Sequence, residues 1–159
     1  MRKKVLYGGL LLSTGFMAGL FIGRKVFADK GGNRKVTTSK FEGYYYILNK
    51  WLEARHHGWS LNSYFEKEGI HEIAVYGMGE LGYRFIEEAE ETDAVVKYCI
   101  DKNSGYGYGD IKVRNPEEDM EPVDAIIVTP FYAFDEIEET LKKKFPGRII
   151  SIEDVIEGN

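Results

Sequence analysis

The stretch Ile73-Ala74-Val75-Tyr76-Gly77-Met78-Gly79-Glu80-Leu81-Gly82 runs directly into Tyr83-Arg84-Phe85-Ile86-Glu87-Glu88-Ala89. The first half is a short apolar run closed by Gly77, Gly79 and Gly82. In the second half Leu81, Phe85 and Ala89 recur every four residues, which predicts a helix with one apolar face. Strand, G-x-G-x-x-G turn and helix together form the context in which this motif points to phosphate binding. Each glycine has its own reason. Gly77 permits the tight turn, Gly79 has no Cβ to hold a pyrophosphate away from the backbone, and Gly82 lets helix and strand approach closely. The helix start then presents N–H groups and the positive end of its dipole to an anion.

The same fingerprint calls for an acid about 20 residues further on, at the end of the next strand, to accept a bond from a ribose hydroxyl. Asp101 follows Ala94-Val95-Val96-Lys97-Tyr98-Cys99-Ile100 and stands 24 positions past Gly77. Lys102 beside it could serve a 2′-phosphate, which leaves the choice between NAD and NADP open. A turn after a buried strand also favours glycine and aspartate for local reasons. The ordered succession of all the parts favours binding.

Further strands are expected at Ile111-Lys112-Val113, a short edge strand, at Asp124-Ala125-Ile126-Ile127-Val128-Thr129, and at Arg148-Ile149-Ile150-Ser151-Ile152. A short helix is expected from Asn115-Pro116-Glu117-Glu118-Asp119, with proline in its first turn. Phe134, Ile137 and Leu141 mark another that runs to Lys144, before Pro146-Gly147 breaks it. Strands alternating with helices predict a parallel sheet with right-handed crossovers. The expected order places the edge strand first, then the second, first, 125–129 and 149–152 strands. The switch point then falls at Gly77 and Thr129. Candidate ligand-facing residues are therefore Gly77, Met78, Gly79, Glu80, Leu81, Gly82, Asp101, Lys102, Thr129 and Pro130. The loop from Asp101 to Gly109 is expected to be mobile, with Tyr106 and Tyr108 near a bound base or sugar.

Upstream the composition changes. Residues 1–40 hold nine Lys/Arg against Asp29 alone, a balance of +8, while the whole chain carries −5. The rest is therefore strongly acidic, which argues against nucleic acid as a partner. Val5 to Gly23 is uncharged, and as a helix it nearly spans a hydrocarbon core of about 30 Å. The rival is a cleaved signal peptide ending at Val26-Phe27-Ala28. The run is longer than such a segment requires, and Arg24 and Lys25 interrupt the path to Ala28, which favours a retained anchor. Six basic residues follow the run (Arg24, Lys25, Lys30, Arg34, Lys35, Lys40) and three precede it, so a single-pass protein with a cytoplasmic C-terminal domain is expected. Gly15, Gly19 and Gly23 repeat at four-residue spacing, a seam through which two membrane helices could associate.

The expected organisation is an anchor at 1–27, a basic flexible linker at 28–38, a helical pair at 39–69 and a nucleotide-binding domain at 70–159. Ser39-x-x-Glu42 is a capping box that opens the first helix of the pair. Phe41, Tyr44, Tyr45, Leu48, Trp51 and Leu52 then form a broad apolar stripe, and Gly58 stops it. Ser60 caps a second helix with Leu61, Tyr64 and Phe65 facing inward, and Gly69 ends it. The pair is expected to brace the sheet or a partner subunit. Aromatic content of 14% within 43% hydrophobic residues supplies material for that core.

Other chemical signals are weak. Tyr46-x-x-x-Lys50 matches a dehydrogenase pair but lies upstream of the glycine motif instead of well downstream. His56, His57 and His71 have no carboxylate or cysteine at ligand spacing, so no metal site is expected. Cys99, the single cysteine, is expected to be a buried thiol. No nucleophile, base and orienter occur together, and only seven residues follow Ile152, so no catalytic residue is assigned.

From Glu72 to Ile156 the chain resembles truncated Rossmann-like domains of bacterial polysaccharide biosynthesis. The resemblance is carried by Val75-Tyr76-Gly77-Met78-Gly79-Glu80-Leu81-Gly82, Ile100-Asp101-Lys102-Asn103, Gly109-Asp110-Ile111-Lys112-Val113 with Pro116-Glu117, and Asp124 to Thr129. Similar patterns occur in the nucleotide-sugar-binding domain that precedes sugar acetyltransferases, and in the C-terminal domain of some sugar methyltransferases. The helical pair behind an anchor is similar to membrane-tethered proteins of Gram-positive bacteria. This implies a small Rossmann-like α/β domain that takes NAD(P) or a nucleotide sugar and works beside a membrane glycan-assembly protein. Two alternatives stand beside it: an NAD(P)-dependent oxidoreductase with its substrate site between protomers, and an adaptor without a ligand.

Overall fold

A computed structural model of the protein describes residues 40–103, 105 and 107–158. The expected anchor, the linker, Ser39 of the capping box and Tyr106 lie outside those residues. Among the described residues no helix is long and apolar enough to cross a membrane. By its contacts the chain divides into two units, Met1–Glu42 and Gly43–Asn159. The sheet and the helices that cover it belong to the second unit.

The leading helix, α1, covers residues 40–56. After it come α2 (Leu61–Glu68), β1 (Glu72–Tyr76), α3 (Glu80–Ala89), β2 (Val95–Ile100) and β3 (Val113–Arg114). The chain continues through β4 (Ala125–Val128), a 3₁₀ turn at Phe131–Ala133, α4 (Phe134–Leu141), β5 (Arg148–Ser151) and α5 (Ile152–Glu157). The strands form one sheet in the order β3-β2-β1-β4-β5, and every pairing is parallel. This is the Rossmann-like α/β order expected from the alternation of strands and helices. The physical basis is the run of four fully buried residues in β4 and three in β1, which only a sheet covered on both faces can accommodate.

Period-two alternation sorts those residues between two cores. Ile73 and Val75 join one cluster with Ile47, Trp51, Phe65, Phe85 and Val155, from α1, α2, α3 and α5. Ala74, Ile126 and Val128 join the other with Leu141 and Phe145, at and just beyond the end of α4. The helical pair therefore braces the sheet. Phe85 alone, 1% exposed, contributes roughly 1.5–3 kcal/mol by burial. Ser60 accepts the Ser63 N–H to start α2, and Gly69 stops it in the left-handed region at φ +64°.

Several local expectations are corrected. The apolar stripe of α1 divides: Ile47, Trp51 and Ala54 are buried, while Phe41, Tyr45, Leu48 and Leu52 are exposed. The stripe is wider than the face one helix can turn toward a sheet. Asn115–Asp119 makes a turn instead of a helix. Asn115 Oδ1 accepts from the Glu117 N–H, and Glu118 Oε1 accepts from the Asn115 N–H, so local side-chain bonds displace helical ones. The edge strand lies two residues later than expected at its start, because Ile111 bridges back to Tyr108. Helix α4 ends at Leu141 and not Lys144. Ile152 belongs to α5, which Ser151 caps by accepting from the Glu153 N–H.

Candidate functional site

Register places the candidate residues. Tyr76 pairs with Ile100 on one side and with Val128 on the other. The next residues, Gly77, Asp101 and Thr129, therefore leave three adjacent strands at one edge of the sheet. That is the C-terminal edge, at the point where strand order reverses, and ligands of open α/β sheets bind there.

The three glycines differ in what holds them. Gly77 adopts φ +94°, and a Cβ there would lie 2.6 Å from Pro130 Cδ. A Cβ on Gly82 would lie 2.0 Å from the Gly77 carbonyl oxygen. The fold itself requires both. Gly79 is different: its backbone is extended (φ −83°, ψ −170°), a conformation any residue adopts, and a Cβ there would meet nothing within 4 Å. It is also the N-cap of α3 and makes no side-chain capping bond. Asp, Asn or Ser would stabilise that position by roughly a few tenths of a kcal/mol. Glycine forgoes this and leaves the first-turn N–H groups uncapped by any side chain.

Within residues 77–82 only Gly79 and Glu80 are exposed. Met78 and Leu81 are buried in the core, so each could offer a ligand only its backbone. Glu80 places a carboxylate on the first turn of α3, where the helix dipole stabilises it. Asp101 is partly buried, and its two oxygens accept from the Met78 N–H at 2.7 Å and the Asn103 N–H at 2.8 Å. It therefore ties the end of β2 to the glycine turn. A carboxylate has about four acceptor positions, so capacity for a ribose hydroxyl remains. Lys102 is exposed beside it.

Thr129 faces inward. It is 3% exposed, and its hydroxyl donates toward Gly77 O at 2.8 Å, with Tyr76 O at 3.2 Å. Its side chain clamps β4 to the glycine turn, a role that spacing alone did not reveal. Pro130 closes the same contact from outside. Gly107 and Tyr108 are tied to α3 and its end: Tyr83 Oη donates to Gly107 O at 3.1 Å, and Tyr108 Oη donates to Glu90 at 2.9 Å. Tyr108 thus lies against Tyr83 of α3, with ring centroids 6.0 Å apart, and serves the scaffold.

The remaining chemical groups lie elsewhere. Tyr46 donates to Glu157 and Lys50 pairs with Glu53, so each member of the dehydrogenase-like pair engages a carboxylate. The Glu157 carboxylate raises the Tyr46 pKa, the reverse of what a catalytic tyrosine needs. Burial pushes the Cys99 thiol up to about 12, which leaves it unreactive at neutral pH. Among the described residues no cluster of His, Cys, Asp or Glu could hold a metal.

No protein-family model, curated protein or solved structure matches the chain. The functional reading rests on the residues and their geometry.

Proposed function

We propose that this protein is a nucleotide- or nucleotide-sugar-binding module without chemistry of its own. Residues 5–23 would tether it to the cell membrane, with the globular unit on the cytoplasmic side. It would present its ligand to a membrane glycan-assembly protein, and Gly15, Gly19 and Gly23 would let two anchors associate. The observation that carries the reading is Gly79. Neither backbone conformation nor packing requires glycine there, and the cap it forgoes would have stabilised α3. Close approach of a phosphate to the backbone accounts for it, with Asp101 one strand away to meet the ribose. Cys99 is buried, and Tyr46 and Lys50 each engage a carboxylate, Glu157 and Glu53.

Thermal unfolding of the full chain in detergent, with NAD, NADP and nucleotide sugars, tests the proposal. A ligand at 100 times its Kd adds about 2.7 kcal/mol to stability and raises the Tm accordingly. No shift with any of them at millimolar concentration would leave the glycine turn a structural device, and the adaptor reading would replace this one.

A further inference from the structure

Beyond Thr129 and Pro130 the chain forms an aromatic cluster beside the glycine turn. The Pro130 ring lies where a Cβ on Gly77 would point, so the residues after it begin at the same sheet edge as the turn. Phe131, Tyr132 and Tyr44 of α1 pack as a three-way set of edge-to-face rings. Centroids are 5.8 Å apart for Tyr44 and Phe131, 6.4 Å for Tyr44 and Tyr132, and 5.5 Å for Phe131 and Tyr132, with planes 79–85° apart. Gly43 makes the arrangement feasible, since a Cβ there would lie 2.6 Å from Phe131 Cζ. Phe131 is packed against the core cluster on the α3 side of the sheet. Tyr132 meets two rings edge to face and is still 52% exposed.

The segment Phe131–Glu136 lines a recess of about 480 Å³, within the usual range for small-ligand pockets. Its walls combine the aromatic rings with two exposed carboxylates, Asp135 and Glu136. Carboxylates there would repel a phosphate and accept hydrogen bonds from hydroxyl donors. An exposed aromatic face suits the apolar C–H face of a sugar ring. A nicotinamide ring brings a single donor group, its carboxamide, whereas a hexose brings several hydroxyls to two acceptor side chains.

We infer that this recess is the sugar subsite of the nucleotide site: Tyr132 is the platform for a hexose carried on a nucleoside diphosphate, and Asp135 and Glu136 receive its hydroxyls. The inference rests on the nucleotide-binding reading above and selects nucleotide sugars over dinucleotides. Calorimetric titration of the full chain in detergent with UDP, ADP and GDP, with UDP-glucose, ADP-glucose and GDP-mannose, and with NAD separates the two claims. For the base that binds, the hexose conjugate should bind about three- to tenfold more tightly than its diphosphate. Tyr132→Ala should erase that gain and leave the diphosphate affinity unchanged. Tyr132→Phe should keep it, and Glu136→Gln should reduce it. Equal affinity for conjugate and diphosphate overturns the subsite while nucleotide binding stands. So does a Tyr132→Ala loss shared by both ligands, or a Tyr132-dependent gain seen with NAD instead. Binding of none of these ligands overturns both.

Discussion

Gly82 and Gly77 lie so close that a Cβ on Gly82 would stand 2.0 Å from the Gly77 carbonyl oxygen. The first turn of α3 and the end of β1 thus share a space with no room for a methyl group. Gly82→Ala should therefore destabilise the protein by about 2 kcal/mol or more. Overpacking against backbone outweighs the roughly 1 kcal/mol that alanine gains over glycine in a helix. Urea denaturation measures it, and a neutral or stabilised variant would show that helix and strand can part without loss.

Thr129 holds the same junction from the β4 side, with its hydroxyl 2.8 Å from Gly77 O. Thr129→Val keeps the shape and removes the donor, leaving a buried carbonyl short of a partner. The expected loss is about 1–2 kcal/mol, read as a lower denaturation midpoint at unchanged slope. If Thr129 were instead a ligand contact, the variant would lose affinity at full stability.

How much of the fold and site was legible in the chain depends on the range of the interaction. The strand order and the switch point followed from apolar runs, glycines and helix periodicity, which are local patterns. Ser60 and Gly69 marked the limits of α2 for the same reason. Thr129, by contrast, looked like a ligand residue because position at a strand end is all that spacing reveals. Its partner lies 52 residues away in the chain, so its inward turn becomes visible only in the fold. The bond of Tyr108 to Glu90, 18 residues away, is hidden from the spacing in the same manner. At Asn115 the expected helix gave way to a turn, because Asn115 and Glu118 bond the local backbone with their own side chains. The division of the α1 stripe could not be read at all, because an apolar face does not name its neighbour. The distinct standing of Gly79 was legible as a hypothesis, and the open space around it is the structural contribution.

Glu80 places a negative charge on the exposed first turn of α3, next to the proposed phosphate position. Glu80→Gln should tighten nucleotide binding a few-fold at low ionic strength, and the gain should shrink with added salt. It should also cost about 0.3–1 kcal/mol of stability, because the helix dipole loses its counter-charge. Titrations at two salt concentrations measure the first effect. Weaker binding by the variant would mean that Glu80 touches the ligand directly.

Asp124 Oδ2 accepts from both the His71 and the Glu72 N–H groups at 2.8 Å, joining the starts of β1 and β4. Those two bonds, Glu72 first, hold its carboxyl below the ordinary value of 3.8. A depressed folded-state value means that the stabilisation is present above 3.8 and is lost as pH falls through the lower folded value. Asp124→Ala should therefore be less stable than wild type at neutral pH, and the gap should close in that acidic window. Urea midpoints measured from pH 7 down to pH 2 test this, and a gap that persists at the acidic end would assign the loss to packing instead.

Nucleotide binding by Gly79→Val in the full chain, measured together with its denaturation midpoint, separates a phosphate site from a mere turn. The variant should fold with a loss within about 1 kcal/mol, since a Cβ there meets nothing within 4 Å and only the quality of the cap changes. Its affinity for the ligand that stabilises wild type should fall at least about tenfold, or 1.4 kcal/mol. Undiminished binding by a well-folded Gly79→Val would contradict the proposed site, because the phosphate could not then lie against this backbone.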